Sequence, residues 1–175
     1  MGTATLLACG APSNGGSATS PSASPSSSPS AIACTTSGAA SSAWQTPDRL
    51  PATAAIVSAT ASGDVLTITF VSGTPAYSVT TQSSASFTKD PSGQPVTLNG
   101  TAGALIVLHG FRGDVRNFTG AHPITSQGSV LLEVDEVGDN EGVVTWGAGL
   151  GAPGCATVTA SGSTLTFRFI PQPGA

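Results

Sequence analysis

The clearest alternation of hydrophobic and polar positions lies toward the C-terminal end of the chain. Apolar side chains occupy every second position from 130 to 135, and the positions between them become acidic, which is the period of a β-strand with one buried face. Turn-forming residues fill 138–142, and strand-forming residues follow at 143–146, where Val144 and Trp146 share a face. These residues predict a β-hairpin, which needs further strands to cover its apolar side.

Short segments of similar character recur before and after this hairpin, separated by Gly, Ser, Asp or Pro residues. The predicted strands are 56–61, 65–71, 77–81, 96–98, 105–108, 155–160 and 164–170. Residues 82–95 are predicted to form a loop, and no segment has the period of a helix. We therefore predict an all-β fold, an antiparallel β-sandwich that spans residues 54–171.

Two of these segments resemble each other in sequence. TASGDVLTITFV, which begins at Thr60, and TASGSTLTFRFI, which begins at Thr159, are identical at seven of twelve positions. A duplication would explain the similarity, but two hairpins drawn from a narrow composition would explain it more simply. The core residues expected from both segments are Ile68, Phe70, Phe167 and Phe169.

Residues 10–53 differ in composition from the rest of the chain. Segment 10–31 is rich in Ser, Pro and Ala and has almost no side chain that could join a core, so it cannot offset the entropy of folding. Its interleaved prolines favour extended polyproline conformations. We predict that residues 10–53 form a disordered, low-complexity tether that holds the domain away from a surface.

Charge and hydropathy exclude several classes of protein. Charged residues make up 8% of the chain, against about 25% in typical soluble domains, and Ser, Thr, Ala and Gly replace them. The net charge is −4 and the five basic residues are scattered, so nucleic acid is not an expected partner. No apolar run approaches the roughly 20 residues that span a bilayer.

The chain has three cysteines, at 9, 34 and 155. The run Leu6-Leu7-Ala8-Cys9 resembles a bacterial lipobox, in which the cysteine is lipidated. Residues 1–9 would then be the remnant of a lipoprotein signal peptide, and the true start would lie upstream, because eight residues cannot hold both a basic and an apolar region. Cys34 and Cys155 would be left to form a disulfide in an oxidising compartment, or to remain two free thiols.

The residue patterns favour neither a catalytic site nor a metal site. Segment 105–113 resembles the start of an α/β-hydrolase, but no serine has the flanking glycines of a nucleophile elbow. The acidic residues between 133 and 141 lack calcium-loop spacing and are expected on an exposed strand face, balanced by Arg112 and Arg116. The two histidines have no acidic partner at helical spacing. We expect no enzyme activity, no metal and no cofactor.

Ligand binding is expected in the long connection 109–128, because connections of this length in compact domains are often binding loops. An ordered excursion that merely crosses the sandwich is an equal alternative. Five ring-bearing or basic side chains of this connection, together with Tyr77, form the predicted ligand-binding set. The six residues are Tyr77, Phe111, Arg112, Arg116, Phe118 and His122.

Residues 138–150, GDNEGVVTWGAGL, resemble the signature turn and strand of the AMIN-like domain of bacterial secreted proteins and lipoproteins. The distinctive residues are Glu141, Gly142, Trp146 and Gly149. The motifs TPAYSV, PSGQPVTLNG, ALIVLHG and TLTFRFI follow in the family's order, so the resemblance covers roughly residues 54–171. It implies an all-β fold that localises proteins to the cell envelope and has no catalytic residues. The strand before the turn is aliphatic here, where the family has an aromatic-rich one.

The sequence therefore predicts a non-enzymatic, monomeric lipoprotein on the outer face of the cell membrane. Its β-sandwich is expected to bind a cell-wall component, either peptidoglycan or another polysaccharide, with Phe111, Phe118 and Tyr77 as stacking platforms. One alternative is a module that binds an envelope protein through a sheet edge. A less favoured alternative is a hydrolase that uses residues 109–114.

Overall fold

The computed structural model describes residues 55–111 and 118–172 of the chain. The predicted signal remnant and tether, with Cys9 and Cys34, lie outside these ranges, as do Arg112 and Arg116. All regular elements of the described residues are strands, which confirms the all-β prediction. None of these residues forms a helix long and apolar enough to cross a membrane.

The described residues form eleven strands in three sheets, and every pairing between these strands is antiparallel. The strands are β1 (Ile56–Ser62), β2 (Val65–Phe70), β3 (Ala76–Gln82), β4 (Ser86–Lys89), β5 (Gln94–Thr97), β6 (Ala102–His109), β7 (Ile124–Thr125), β8 (Leu131–Asn140), β9 (Val143–Leu150), β10 (Gly154–Ser161) and β11 (Thr164–Pro171). A four-stranded sheet has the order β1-β2-β11-β10, a five-stranded sheet has the order β3-β6-β9-β8-β7, and β4 pairs with β5 alone.

One hydrophobic cluster takes side chains from both larger sheets. The alternation in β2 buries Leu66, Ile68 and Phe70 and leaves the residues between them half-exposed, as the period of a strand requires. The four predicted core residues are confirmed, because each is at most 2% exposed. Trp146 is completely buried in the same cluster, as expected for the apolar face of the hairpin.

The two similar sequence segments form matching hairpins, β1–β2 and β10–β11, whose inner strands pair with each other. Their turns contain Gly63 and Gly162, at φ 55° and φ 58°. Thr67 of one hairpin lies opposite Thr166 of the other, and these residues hold equivalent positions in the two segments. A local twofold axis therefore passes between them, which is the placement that a duplicated hairpin would produce.

Asp64, in the turn between β1 and β2, joins the four-stranded sheet to the beginning of β8. Its Oδ1 accepts hydrogen bonds from the backbone N–H of Val130 (2.6 Å) and of Leu131 (3.0 Å), and its Oδ2 accepts one from Ser129 Oγ (2.8 Å). Burial opposes ionisation, but these hydrogen bonds outweigh it and hold the pKa of Asp64 below its usual value. This contact stabilises the fold above the ordinary pKa of aspartate and is lost as the pH falls through the lowered value.

The β4–β5 hairpin and the segment after it cover the face of the five-stranded sheet that points away from the main core. Residues of the β4–β5 hairpin and the segment after it form a second cluster with Val137, and Phe87 lies over two glycines. A Cβ at Gly147 would come within 2.9 Å of the Phe87 ring, and one at Gly103 would come within 3.0 Å. The residues 82–95 were predicted as a loop, and this was wrong because short, polar β4 carries almost no alternation signal.

The turn between β8 and β9 is tighter than predicted. Only Glu141 and Gly142 connect the strands, with φ of 50° and 79°, which are the signs of a type I′ hairpin turn. Gly138, Asp139 and Asn140 lie in β8, where the register shifts between Glu136 and Gly138. That bulge absorbs an extra residue and lengthens the strand beyond the alternating stretch.

Gly149 is predicted to tolerate no side chain. A Cβ at this position would overlap the carbonyl oxygen of Asn99 and lie 3.0 Å from Leu98 Cβ, so backbone would have to move. We expect Gly149→Ala to lower the free energy of unfolding by about 1–3 kcal/mol, the usual cost of overpacking. Urea denaturation measures it. Gly151→Ala is the matched control, because its nearest neighbour would lie at 3.4 Å, and equal stability of the two variants would contradict the packing described here.

Candidate functional site

Four of the six predicted ligand-binding residues lie in the described part of the chain. Phe111 is 6% exposed and belongs to the main core, with its ring centroid 6.1 Å from that of Phe70. Tyr77 is half-buried and packs edge-on against Phe167, with 5.9 Å between ring centroids. Both rings pack against core residues, so the role of Phe111 and Tyr77 as stacking platforms stays a prediction. Only Phe118 and His122 of the described members lie together.

Phe118, His122 and Trp146 form an aromatic cluster. The ring centroids of Phe118 lie 4.9 Å from His122 and 5.5 Å from Trp146, and His122 lies 5.6 Å from Trp146. Tilted and edge-on aromatic contacts of this kind are worth about 0.5–1.5 kcal/mol each. Because Trp146 is completely buried, it anchors the 118–122 segment, and Phe118 extends from the core toward the surface.

Phe118 also lines a cleft of about 500 Å³ between β1 and the segment that leads to β7. One wall is residues 57–61 of β1, and the other is residues 118–121 with Ile124. The lining combines one aromatic ring and several small apolar side chains with the hydroxyl groups of Ser58, Thr60 and Thr119. None of these lining residues is charged.

A hydrogen bond fixes this segment to the five-stranded sheet. His122 Nδ1 lies 2.9 Å from Asp135 Oδ1, and a carboxylate accepts such a bond from the protonated ring nitrogen. Lys89 Nζ of β4 lies 4.0 Å from the other oxygen of Asp135. Asp135 therefore connects the cleft wall with the β4–β5 hairpin, and sequence reasoning missed this contact because the three residues are far apart in the chain.

The acidic residues of β8 were predicted to be solvent-exposed, and for two of them this was wrong. Glu133 is 8% exposed and Asp135 is 6% exposed. Glu133 Oε2 accepts a hydrogen bond from the backbone N–H of Asn99 at 2.7 Å, so the chain that covers the sheet also satisfies its carboxylate. Among the described residues, no group of three or more acidic, His or Cys side chains is placed to hold a metal ion.

The outer face of the four-stranded sheet forms a second surface of uniform chemistry. Three rows of side chains cross β1, β2, β11 and β10 in turn, and all but two of the twelve residues are Ser or Thr. The rows are Ser58–Thr69–Thr164–Ser161, Thr60–Thr67–Thr166–Thr159 and Ser62–Val65–Arg168–Thr157. We call these twelve residues the Ser/Thr face. The signal was present in the sequence as two threonines at alternate positions in each of β2 and β11.

Glu136 is predicted to destabilise the fold at neutral pH. Burial, followed by the neighbouring charges of Asp139 and Asp135, raises the pKa of Glu136 to about 7, while Lys89 opposes the rise. Its Oε2 is buried without a hydrogen-bond partner. The folded state therefore binds the proton more tightly than the unfolded state, so the penalty is absent below the ordinary pKa, grows as the pH rises, and is complete above about 7.

We expect Glu136→Gln to raise the free energy of unfolding at pH 8 and to leave it unchanged near pH 4. The full shift corresponds to about 3 kcal/mol. Because Glu136 is only half-buried, solvent screening reduces the expected gain to about 1 kcal/mol. Urea denaturation at both pH values measures it, with Glu141→Gln in the exposed turn as the control for the lost charge. A gain that is equal at the two pH values would refute this account.

Comparisons with known proteins give no match for this chain. No family model matches it. A search of curated proteins and a search of solved structures also find no significant match.

Proposed function

We propose that the described strands form a β-sandwich that acts as a non-enzymatic, extracytoplasmic binding module for a cell-wall glycan. The sandwich is supported by the single core to which both larger sheets contribute side chains. The observation that carries the function is the cleft between β1 and Phe118, which combines an aromatic ring with hydroxyl groups and has no charged side chain among its described lining residues.

The chemistry of this cleft suits a sugar ring. The apolar face of a sugar stacks on an aromatic side chain, and Phe118 provides one that is held by Trp146 and His122. Hydroxyl groups can donate and accept at once, so Ser58, Thr60 and Thr119 can satisfy the mixed hydrogen bonding of sugar hydroxyls. A ring fixed before binding loses little conformational entropy on binding.

Sequence features outside the described residues support an envelope location. Lipidation at Cys9 would anchor the chain to the membrane, and the tether of residues 10–53 would carry the domain toward the wall. A Cys34–Cys155 disulfide would fasten the tether to the domain, since Cys155 is buried at the beginning of β10. The AMIN-like resemblance points to the same envelope role.

The four AMIN-like signature residues have structural positions in this chain. Glu141 and Gly142 form the type I′ turn, Trp146 anchors the cleft segment, and Gly149 lets the chain around Asn99 lie against β9. The signature therefore builds the support for the cleft rather than its lining. This is compatible with a shared scaffold whose ligand is set by other residues.

Binding of an envelope protein is the second candidate function. β1 is an edge strand of the four-stranded sheet, and Val57 on it is 60% exposed. An extended segment of a partner could add to this edge by backbone hydrogen bonding. It would occupy the same side of the domain as the cleft, so the two candidates are separated by the identity of the bound molecule.

We expect Ala121→Trp to abolish co-sedimentation of the purified protein with cell-wall sacculi. Ala121 is exposed and lines the cleft, so a large ring there fills the cleft without removing a core contact. Phe118→Ala should have the same effect by removing the stacking surface. Val71→Ala, at a 66% exposed position outside the cleft lining, is the control. Undiminished sedimentation of folded Ala121→Trp would rule out the cleft as the binding site.

We expect Cys9→Ser to abolish metabolic labelling of the chain by a radiolabelled or alkyne fatty acid. The thiol of Cys9 is the predicted acceptor, and serine offers no thioether linkage. Cys34→Ser is the matched control and should remain labelled. Labelling of the Cys9 variant at the wild-type level would exclude lipidation at this residue and leave the domain without its proposed anchor.

A further inference from the structure

We propose that the Ser/Thr face is an extended binding surface for a neutral polysaccharide chain, continuous with the cleft. The inference rests on the proposed glycan-binding function and adds to it the class of glycan and the direction in which the chain runs. The cleft would hold one or a few sugar units, and the Ser/Thr face would hold those that follow.

Geometry makes the Ser/Thr face a regular array of hydroxyl groups. Neighbouring strands lie about 4.8 Å apart, and alternate residues along one strand lie about 6.7 Å apart. Cross-strand partners such as Thr67 and Thr166 therefore present their side chains on the same side at fixed intervals. Thr69 Oγ1 and Thr164 Oγ1 lie 3.5 Å apart, as expected for facing side chains on paired strands.

The side chains of this array are also stiff. Threonine is β-branched and has few χ1 rotamers on a strand, so its hydroxyl direction is largely set before a ligand arrives. A surface of lysine and glutamate would lose much more side-chain entropy on binding. Many weak hydrogen bonds can then add up along a repeating ligand, whereas a single sugar would gain little from the array.

The scarcity of charge on the Ser/Thr face favours a neutral ligand. Arg168 is the only charged residue among its twelve members. A single positive charge gives a polyanion little electrostatic attraction and does not repel an uncharged chain. The described residues that line the cleft include no charged side chain, so the two surfaces suit the same uncharged polymer.

The cleft and the Ser/Thr face share residues of β1. Ser58 and Thr60 line the cleft and also begin two of the three rows. From Thr60 the central row continues through Thr67 and Thr166 to Thr159 at the opposite edge of the sheet. A polymer that leaves the cleft at β1 can therefore lie along a row without crossing another element of the four-stranded sheet.

The test measures how tightly wild type, Thr67→Lys and Thr166→Lys bind a short and a long form of the same sugar. The probes are the tetramer of N-acetylglucosamine and glycol chitin, a neutral soluble polymer of the same sugar. Thr80→Lys on β3 and Thr88→Lys on β4, both at exposed positions, are the charge-matched controls. Urea denaturation establishes that all four variants are folded.

We expect wild type and both controls to bind the polymer, per sugar unit, more tightly than the tetramer. Each variant in the central row should weaken polymer binding by about tenfold and leave tetramer binding unchanged, because a lysine interrupts the array but not the cleft. Thr67→Lys should weaken polymer binding at least as much as Thr166→Lys, because Thr67 lies nearer the cleft along the central row. Polymer binding should be the same at low and high salt, because the ligand carries no charge.

Polymer binding that is unaffected by both central-row variants would overturn this inference and leave the cleft proposal standing, provided that wild type binds the tetramer. If wild type binds neither sacculi, nor the tetramer, nor the polymer, both proposals are overturned. The oligomeric state, measured by analytical ultracentrifugation, also tests the inference. A wild-type dimer that either lysine variant converts to a monomer would make the Ser/Thr face a contact between two copies of the chain, and the polysaccharide would not be its ligand.

Discussion

The pairing of β2 with β11 determines which side chains this domain buries. The two strands come from hairpins about a hundred residues apart, and they meet with Thr67 opposite Thr166. In this register Leu66 faces Phe167 on the core side, and threonines fill the outer side. A slip of one residue would turn every side chain of one strand to the other face, placing a phenylalanine in water and a threonine in the core. The core and the Ser/Thr face therefore depend on the same contact.

The five-stranded sheet differs from the four-stranded sheet because other parts of the chain pack on both of its faces. Glycines such as Gly147 and Gly149 alternate with core residues in β9, and their missing side chains let the β4–β5 hairpin and the segment after it approach. Acidic residues of β8 are buried in the process, so their carboxylates need partners. Asp135 has two, His122 of the segment before β7 and Lys89 of β4. A buried carboxylate without a partner would cost several kcal/mol.

Strand identity and the main core were predictable from the sequence, since Ile68 and Phe167 lie in strongly alternating segments. The burial of Asp135 was not, because its partners come from a distant loop and from the weakly alternating β4. The type I′ turn at Glu141 was hidden by neighbouring residues that also tolerate positive φ. The prediction of residues 109–128 as one connection was wrong at Ile124–Thr125, which form β7, because a strand of two residues has no alternation to detect. It did place Phe118 and His122 in one segment, but only the folded chain brings both to Trp146 and Phe118 to the edge of β1.

The proposed function follows from this architecture, in which an aromatic cleft lies beside an array of hydroxyls that includes a single charged residue. Both surfaces border β1, and the Ser/Thr face loses its composition if the hairpins pair differently. The most direct test is therefore the pattern of nuclear Overhauser effects between β2 and β11 in the folded protein. The account predicts close backbone contacts of Thr67 with Thr166, and of Leu66 with Phe167. Contacts shifted by one residue, or none between these strands, would contradict it.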